Sequence, residues 1–226
     1  MTMYRTDSIK QLNYGRNMTS KQREMLDENV FCLRIPKGET IFMEKDKLRY
    51  LYFIKQGVFR FSKANEQGTQ YITKLLGKGE LMGRRSVITG HGAFVNAFAV
   101  TDTQVYALDK KVFLDFLNEN HAFCLDVLKE FIADSKEDED TQHLLNGNGK
   151  IINRLARLLR YLEHKFGRQG DGSLLAKLRR EDMADILGTS SEYVIQLLGR
   201  LQKAGAIELK RSALWITSQK RLEGFC

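Results

Sequence analysis

Leu178–Ile207 reads LRREDMADILGTSSEYVIQLLGRLQKAGAI, and it decides how the rest of the chain is read. Two short amphipathic segments flank Gly188-Thr189-Ser190. Met183, Ala184, Ile186 and Leu187 form the apolar side of the first; Val194, Leu197, Leu198 and Leu201 form that of the second. Both sets fall at helical spacing. Gly188 suits the turn because glycine takes positive φ at little steric cost. Thr189 or Ser190 can cap the second helix by accepting its free backbone N–H groups. Two helices joined by a short glycine turn predict a helix-turn-helix, whose second helix offers polar side chains to a DNA major groove. An αα corner in an ordinary helical domain shares this pattern.

Charge separates the two readings. The 226-residue chain carries a net charge of +8. Residues 150–226 hold 15 Lys and Arg against 8 Asp and Glu, whereas residues 1–149 hold 21 against 20. The basic excess sits in the half with the helix-turn-helix, where phosphate contact requires it. Cys32, Cys124 and Cys226 are odd in number and far apart, which disfavours a disulfide framework, a zinc site and an iron–sulfur cluster. No apolar run approaches the roughly 20 residues of a membrane span. The opening MTMYRTDSIKQLN lacks the apolar core of a signal peptide, so a cytoplasmic location is expected. There is no P-loop, no nucleophile–base constellation and no metal-ligand spacing, so neither an enzyme nor a cofactor or metal is expected.

Upstream, residues 1–29 are polar with spaced apolar positions (Ile9, Leu12, Met25, Leu26), which reads as one or two short helices. From Val30 the texture changes. Runs rich in β-branched and aromatic residues cover 30–35, 40–43, 51–54, 58–62, 70–76, 94–100 and 104–108. Turns at Pro36-Lys37-Gly38, Gln56-Gly57, Glu66-Gln67-Gly68 and Gly77-Lys78-Gly79 separate the earlier ones. Many short strands at such spacing predict an antiparallel roll over 30–109. From Lys110 to Asn146 the period becomes helical. Leu114, Leu117, His121, Cys124, Leu128 and Phe131 follow alternating steps of three and four, the seam of a helix that pairs with its own copy. Leu125, Val127 and Ile132 widen that face toward the roll. A single helix buried under its own sheet looks similar. The seam fails at Ser135 and Asp138, within Lys136-Glu137-Asp138-Glu139-Asp140. In a parallel dimer those acids face their own copies, which loosens the pairing near the hinge; a solvated helix end accounts for them equally. Asn146-Gly147-Asn148-Gly149 follows, with the hinge placed at 147–149. Beyond it, residues 150–226 give an amphipathic helix (Ile151 to Leu162), the helix-turn-helix, and a hairpin wing whose strands flank Lys210-Arg211-Ser212. The fold class is therefore α+β.

The order roll, pairing helix, hinge and winged helix-turn-helix resembles the cyclic-AMP receptor/FNR family of bacterial transcription regulators. The segments that carry the resemblance are Ile35–Phe42, Leu51–Gly57, Gly79–Gly83 and Leu187–Val194. It implies a roll of the cyclic-nucleotide-binding, double-stranded β-helix type. It also implies a homodimer, a palindromic double-stranded DNA operator and, for an activator, contact with RNA polymerase. It places the effector pocket around Leu81, Met82, Gly83, Arg84, Arg85, Val95 and Asn96. It sets the dimer seam at Leu117, His121, Cys124, Leu128 and Phe131.

The departures are specific. Cyclic-nucleotide-binding members carry Glu after the glycine that matches Gly83, to accept from the ribose; here Arg84 and Arg85 follow it. Their Arg-Ser/Thr-Ala triplet, whose Arg pairs with phosphate, is matched by Val95-Asn96-Ala97. Cyclic AMP is therefore not the expected effector, and the effector is unknown. Arg84 and Arg85 either serve another anion in a rearranged pocket or are surface residues without a ligand. The cysteine cluster of FNR-like members is absent near the N-terminus, and His91, His121, His143 and His164 offer no evident pair of haem ligands. In the reading head, Ser191 and Gln196 stand where relatives often carry Arg, with Glu192 kept and Tyr193 beside it. These four are the expected base readers: Glu192 can accept from cytosine, and Gln196 can read adenine bidentately. Arg179, Arg180, Ser190, Arg200, Lys210 and Arg211 are the expected phosphate contacts. The competing class is a cyclic-nucleotide-type regulatory or scaffold subunit acting through protein partners.

Overall fold

The computed structural model describes residues 2–5, 19–66, 70–146, 149–211 and 213–226. The expected turn at Gln67-Gly68, the hinge residues Gly147 and Asn148, and Ser212 at the wing tip lie outside the described residues, as do Ile9 and Leu12. The chain divides into two units, Met1–Lys63 with Leu75–Glu137, and Ala64–Lys74 with Asp138–Cys226.

The roll is built from antiparallel pairings. β1 (Thr2–Arg5), β2 (Val30–Ile35), β9 (Thr103–Asp109), β4 (Tyr50–Gln56) and β7 (Leu81–Met82) form one sheet in that order. β3 (Thr40–Phe42), β8 (Asn96–Ala99), β5 (Phe59–Ala64) and β6 (Gln70–Leu76) form the other. The β-branched runs therefore became strands, two of them, 30–35 and 70–76, over the same residues as read from sequence. The lead-in needs correction. Helix α1 (Ser20–Glu28) is present and opens on a capping box from Thr19 to Gln22, but Thr2–Arg5 is a strand. It pairs with β2 from Thr2↔Arg34 to Arg5↔Phe31.

Helix α2 (Arg84–Thr89) follows β7 directly. Gly83 enters it at φ +88, and a Cβ there would meet the Leu48 Cδ1 at 2.9 Å. At that positive φ a side chain is strained, so the turn favours glycine.

The helical stretch after the roll is two helices, α3 (Lys110–Glu119) and α4 (His121–Asn146). Asn120 breaks them apart at φ −127, ψ 96, and its Oδ1 accepts the Phe123 N–H at 3.0 Å. A short polar side chain able to satisfy a free N–H is a cap, and here it ends one helix and starts the next. One straight seam therefore does not run from Leu114 to Phe131. Leu114 and Leu117 pack half-buried on the roll's core. Phe113, Phe116, Phe123 and Val127 are buried in that same core, with Phe123 edge-on to Phe113 at 5.8 Å and to Phe116 at 5.9 Å. Leu125 and Ile132, expected toward the roll, are 55% and 71% exposed; only Val127 turns inward.

The second unit is built on α5 (Ile151–Phe166), α6 (Arg180–Leu187) and α7 (Ser191–Lys203). The hairpin β10 (Ile207–Lys210) and β11 (Ala213–Ile216) and the short α8 (Gln219–Glu223) complete it. Leu155, Leu158, Leu159 and Leu162 of α5 are buried, as are Leu197, Leu198 and Leu201 of α7. At about 1.5–3 kcal/mol per fully buried aliphatic side chain, this seam fixes how α7 is presented.

Candidate nucleic-acid interface

The turn between α6 and α7 is made as its residue types dictate. Gly188 sits left-handed at φ 62, ψ 48. Ser190 caps α7, its hydroxyl accepting the Tyr193 N–H at 3.2 Å. With Val194, Leu197, Leu198 and Leu201 turned inward, the opposite side of α7 is exposed: Glu192, Tyr193, Ile195 and Gln196 lie on it, Arg200 lies further along, and Ser191 and Gly199 are half-buried. Three of the four expected base readers are thus on the solvent face.

Ile195 was missed by the sequence reading. It is 56% exposed, the largest exposure among the described bulky apolar residues of this unit, and it stands one position before Gln196. Its signal was present as an apolar residue outside the 194–197–198–201 stripe. An exposed isoleucine beside two polar readers can meet the methyl group of thymine.

Glu192 is at the helix start, where its own backbone N–H and the Ser190 side chain hold its carboxyl below the usual carboxylate range. It is an acceptor only, suited to a base amino group.

The basic residues separate by what already holds them. Arg179 places its Nη2 3.0 Å from Asp182 Oδ1 and its Nε 3.3 Å from Oδ2, while its backbone N–H donates to the same carboxylate at 3.1 Å. Asp182 is 3% exposed. The Arg179 fork is committed to the start of α6. Arg180 is half-buried, and that burial pushes its guanidinium down from its ordinary value. On the wing, Lys210 Nζ is 2.7 Å from Glu208 and 5.7 Å from the Trp215 ring centre. Arg211, at φ 54, turns the hairpin. Arg200, Lys210 and Arg211 are all exposed.

The roll's candidates are placed differently from the sequence expectation. Leu81 and Met82 are buried in β7. Asn96 is buried, and its Oδ1 accepts the Glu44 N–H at 2.9 Å. Val95 packs half-buried against the core. The Ser62 hydroxyl, opposite Asn96 in the sheet, is buried with no hydrogen-bond partner among the described residues. Arg85 lies over the Phe94 ring at 4.1 Å. Arg84 is not a surface residue. Its side chain is 9% exposed, its Nη2 is paired with Asp134 of α4, and its guanidinium stacks on Phe131 at 4.1 Å. Asp138, read as facing its own copy, is paired with Lys74 Nζ at 2.7 Å.

Among the described residues, no group of three or more His, Cys, Asp or Glu is placed to hold a metal ion, and no helix is long and apolar enough to cross a membrane.

Comparison with known proteins agrees with this geometry. A cyclic nucleotide-binding domain model matches residues 32–120, and a Crp-like helix-turn-helix domain model matches residues 153–225. The fumarate nitrate reduction regulatory protein of Klebsiella oxytoca is 27% identical over 218 residues, covering 95% of this chain and 86% of that relative. The fumarate and nitrate reduction regulatory protein of Escherichia coli K12 gives the same figures. Among solved structures, FixK2 from Bradyrhizobium japonicum is similar with a TM-score of 0.74 at 21% identity, over 87% of this chain and 96% of that one. A CRP-family transcriptional regulator from Thermus thermophilus is similar at 0.73 and 20% identity, over 85% and 95%. The fold is the one those regulators share. With both domain models matched in this order and an α7 that displays its polar face behind a basic wing, the chain belongs to the cyclic-AMP receptor/FNR family of DNA-binding transcription regulators.

Proposed function

We propose that this regulator works as a cytoplasmic, non-catalytic homodimer on a two-fold operator, with a roll that does not take cyclic AMP. The observation that carries the reading is the solvent face of α7. A helix that buries four apolar residues yet offers Glu192, Tyr193, Ile195 and Gln196 to solvent is built to read base edges. Arg180, Ser190, Arg200, Lys210 and Arg211 supply phosphate contacts around it. Arg179 contributes by holding Asp182 at the start of α6.

The dimer is supported by α4. His121, Leu125, Leu128 and Ile132 are exposed and Cys124 half-exposed, at spacings of three, four and seven that define one face. A second copy of α4 covers such a stripe, and soluble oligomers favour two-fold pairing. In this arrangement the seam begins at His121, Leu117 being turned to the roll, and half-sites fall about 34 Å apart. RNA polymerase is the further partner if the protein activates.

The roll's lack of a cyclic-AMP site is supported by Arg84. It stands at the start of α2, next to Gly83, with its charge already satisfied by Asp134. Calorimetry with cyclic AMP and cyclic GMP tests this part, with no binding of either expected up to millimolar ligand; tight binding of one refutes it. Sedimentation velocity tests the dimer, which a monomer at micromolar concentration refutes.

A further inference from the structure

We propose that Arg84, Asp134 and Phe131 form an internal clasp that fixes the rotation of α4, and that Arg84 is thereby a positioning residue for DNA binding. The proposal rests on the dimeric reading above.

The Arg84 backbone has little freedom to move. It is the first residue of α2, and the turn before it is held at positive φ by Gly83. A nearly buried guanidinium at that point needs a partner, because desolvating an unpaired charge is costly. The partner is Asp134, and the face of Phe131 completes the enclosure at 4.1 Å. Positions 131 and 134 are three apart, hence neighbours on one side of the helix. One turn further along that side, Asp138 is taken by Lys74 at 2.7 Å. So two successive aspartates of α4 are each held by a cation.

The exposed stripe of Leu125, Leu128 and Ile132 lies elsewhere on the same helix. A helix turns about 100° per residue. Rotating α4 by one residue would pull Asp134 and Phe131 from Arg84 and swing the stripe by the same angle. Clasp and stripe are therefore two readouts of one rotation, and the clasp holds the stripe where a second copy must meet it. Because Asp134 neutralises Arg84, the clasped state needs no external anion. A ligand acting at Arg84 would have to displace a carboxylate of the chain itself.

The test uses the full chain and an operator recovered by selection from random DNA. Operator affinity is measured by anisotropy, and dimer mass by sedimentation, for wild type, Arg84→Met, Asp134→Ala, Phe131→Leu and the reversed pair Arg84→Asp with Asp134→Arg. The three single variants are expected to remain dimers and to lose about fivefold or more in operator affinity, the lower range of coupling between distant sites. The reversed pair is expected to regain most of that loss, because it restores the ion pair with its charges exchanged. Phe131→Leu keeps the ion pair and serves if either charge variant fails to fold. Operator affinity unchanged or tighter in the single variants overturns the clasp, as does a reversed pair no better than its two halves. A wild-type chain that binds no DNA refutes the regulator reading instead.

Discussion

Arg179 is the position where a contact read from composition and a contact read from geometry part company. A basic residue at the mouth of a helix-turn-helix is an obvious phosphate ligand. Here its guanidinium makes two hydrogen bonds to Asp182, at 3.0 and 3.3 Å. Replacing Arg179 with Gln removes both and leaves the backbone N–H that also caps α6. Hydrogen bonds to a charged group are worth about 1.5–3 kcal/mol. The Arg179 side chain is 60% exposed, so solvent screens much of that. The expected loss of stability is about 1–2 kcal/mol, seen as a lower urea midpoint. The effect on DNA is where the two accounts differ. A lost phosphate contact reduces the slope of log affinity against log salt by about 0.9. Arg179→Gln is expected to leave that slope nearly unchanged, whereas Arg200→Gln reduces it by about 0.9 with little change in stability. A full-unit fall in slope for Arg179→Gln at unchanged stability would refute the assignment.

Leu128→Asp places a charge on the exposed stripe of α4 and is expected to shift sedimentation toward monomer without changing the fold, because Leu128 is 52% exposed in one chain. Gly83→Ala forces a side chain into positive φ and against Leu48; a loss of about 1–3 kcal/mol is expected in urea unfolding. Replacing each operator thymine in turn with deoxyuridine is expected to find one per half-site whose methyl matters about fourfold, the worth of one buried methyl group, and Ile195→Ala is expected to abolish that sensitivity. Glu192 has a lowered pKa in the folded chain, so its stabilising effect is present above the ordinary carboxylate range and lost as pH falls through the lowered value. Glu192→Gln is expected to flatten the acid limb of the stability curve as pH falls through and below the usual carboxylate range.

How much was legible depends on how local the deciding contact is. Strands 30–35 and 70–76 announced themselves because β-branched runs end at Pro and Gly turns. The α6–α7 turn did so through Gly188 and the Ser190 cap. The break at Asn120 was overlooked because apolar steps of three and four ran straight across it. Yet Asn120 with Phe123 three residues on is a capping pattern, and the cap prevailed over the period. Thr2–Arg5 is a strand because β2 offers it an edge, which four polar-flanked residues do not reveal. The fate of Arg84 was beyond any local reading, since its partners lie about fifty residues away on another helix. Arg84, which the family resemblance sets among the effector-pocket positions, is paired within the chain itself. Ile195 was legible in principle and was passed over because base readers are sought among polar side chains.

The central claim is that α7 reads a specific, two-fold DNA site. Selection of bound DNA from a random pool by the full chain, followed by affinity measurements over a range of salt, tests it most directly. The expected result is an enriched inverted repeat with half-site centres about 34 Å apart and an affinity that falls steeply with salt. A pool with no enriched inverted repeat, or binding indifferent to salt, would contradict it.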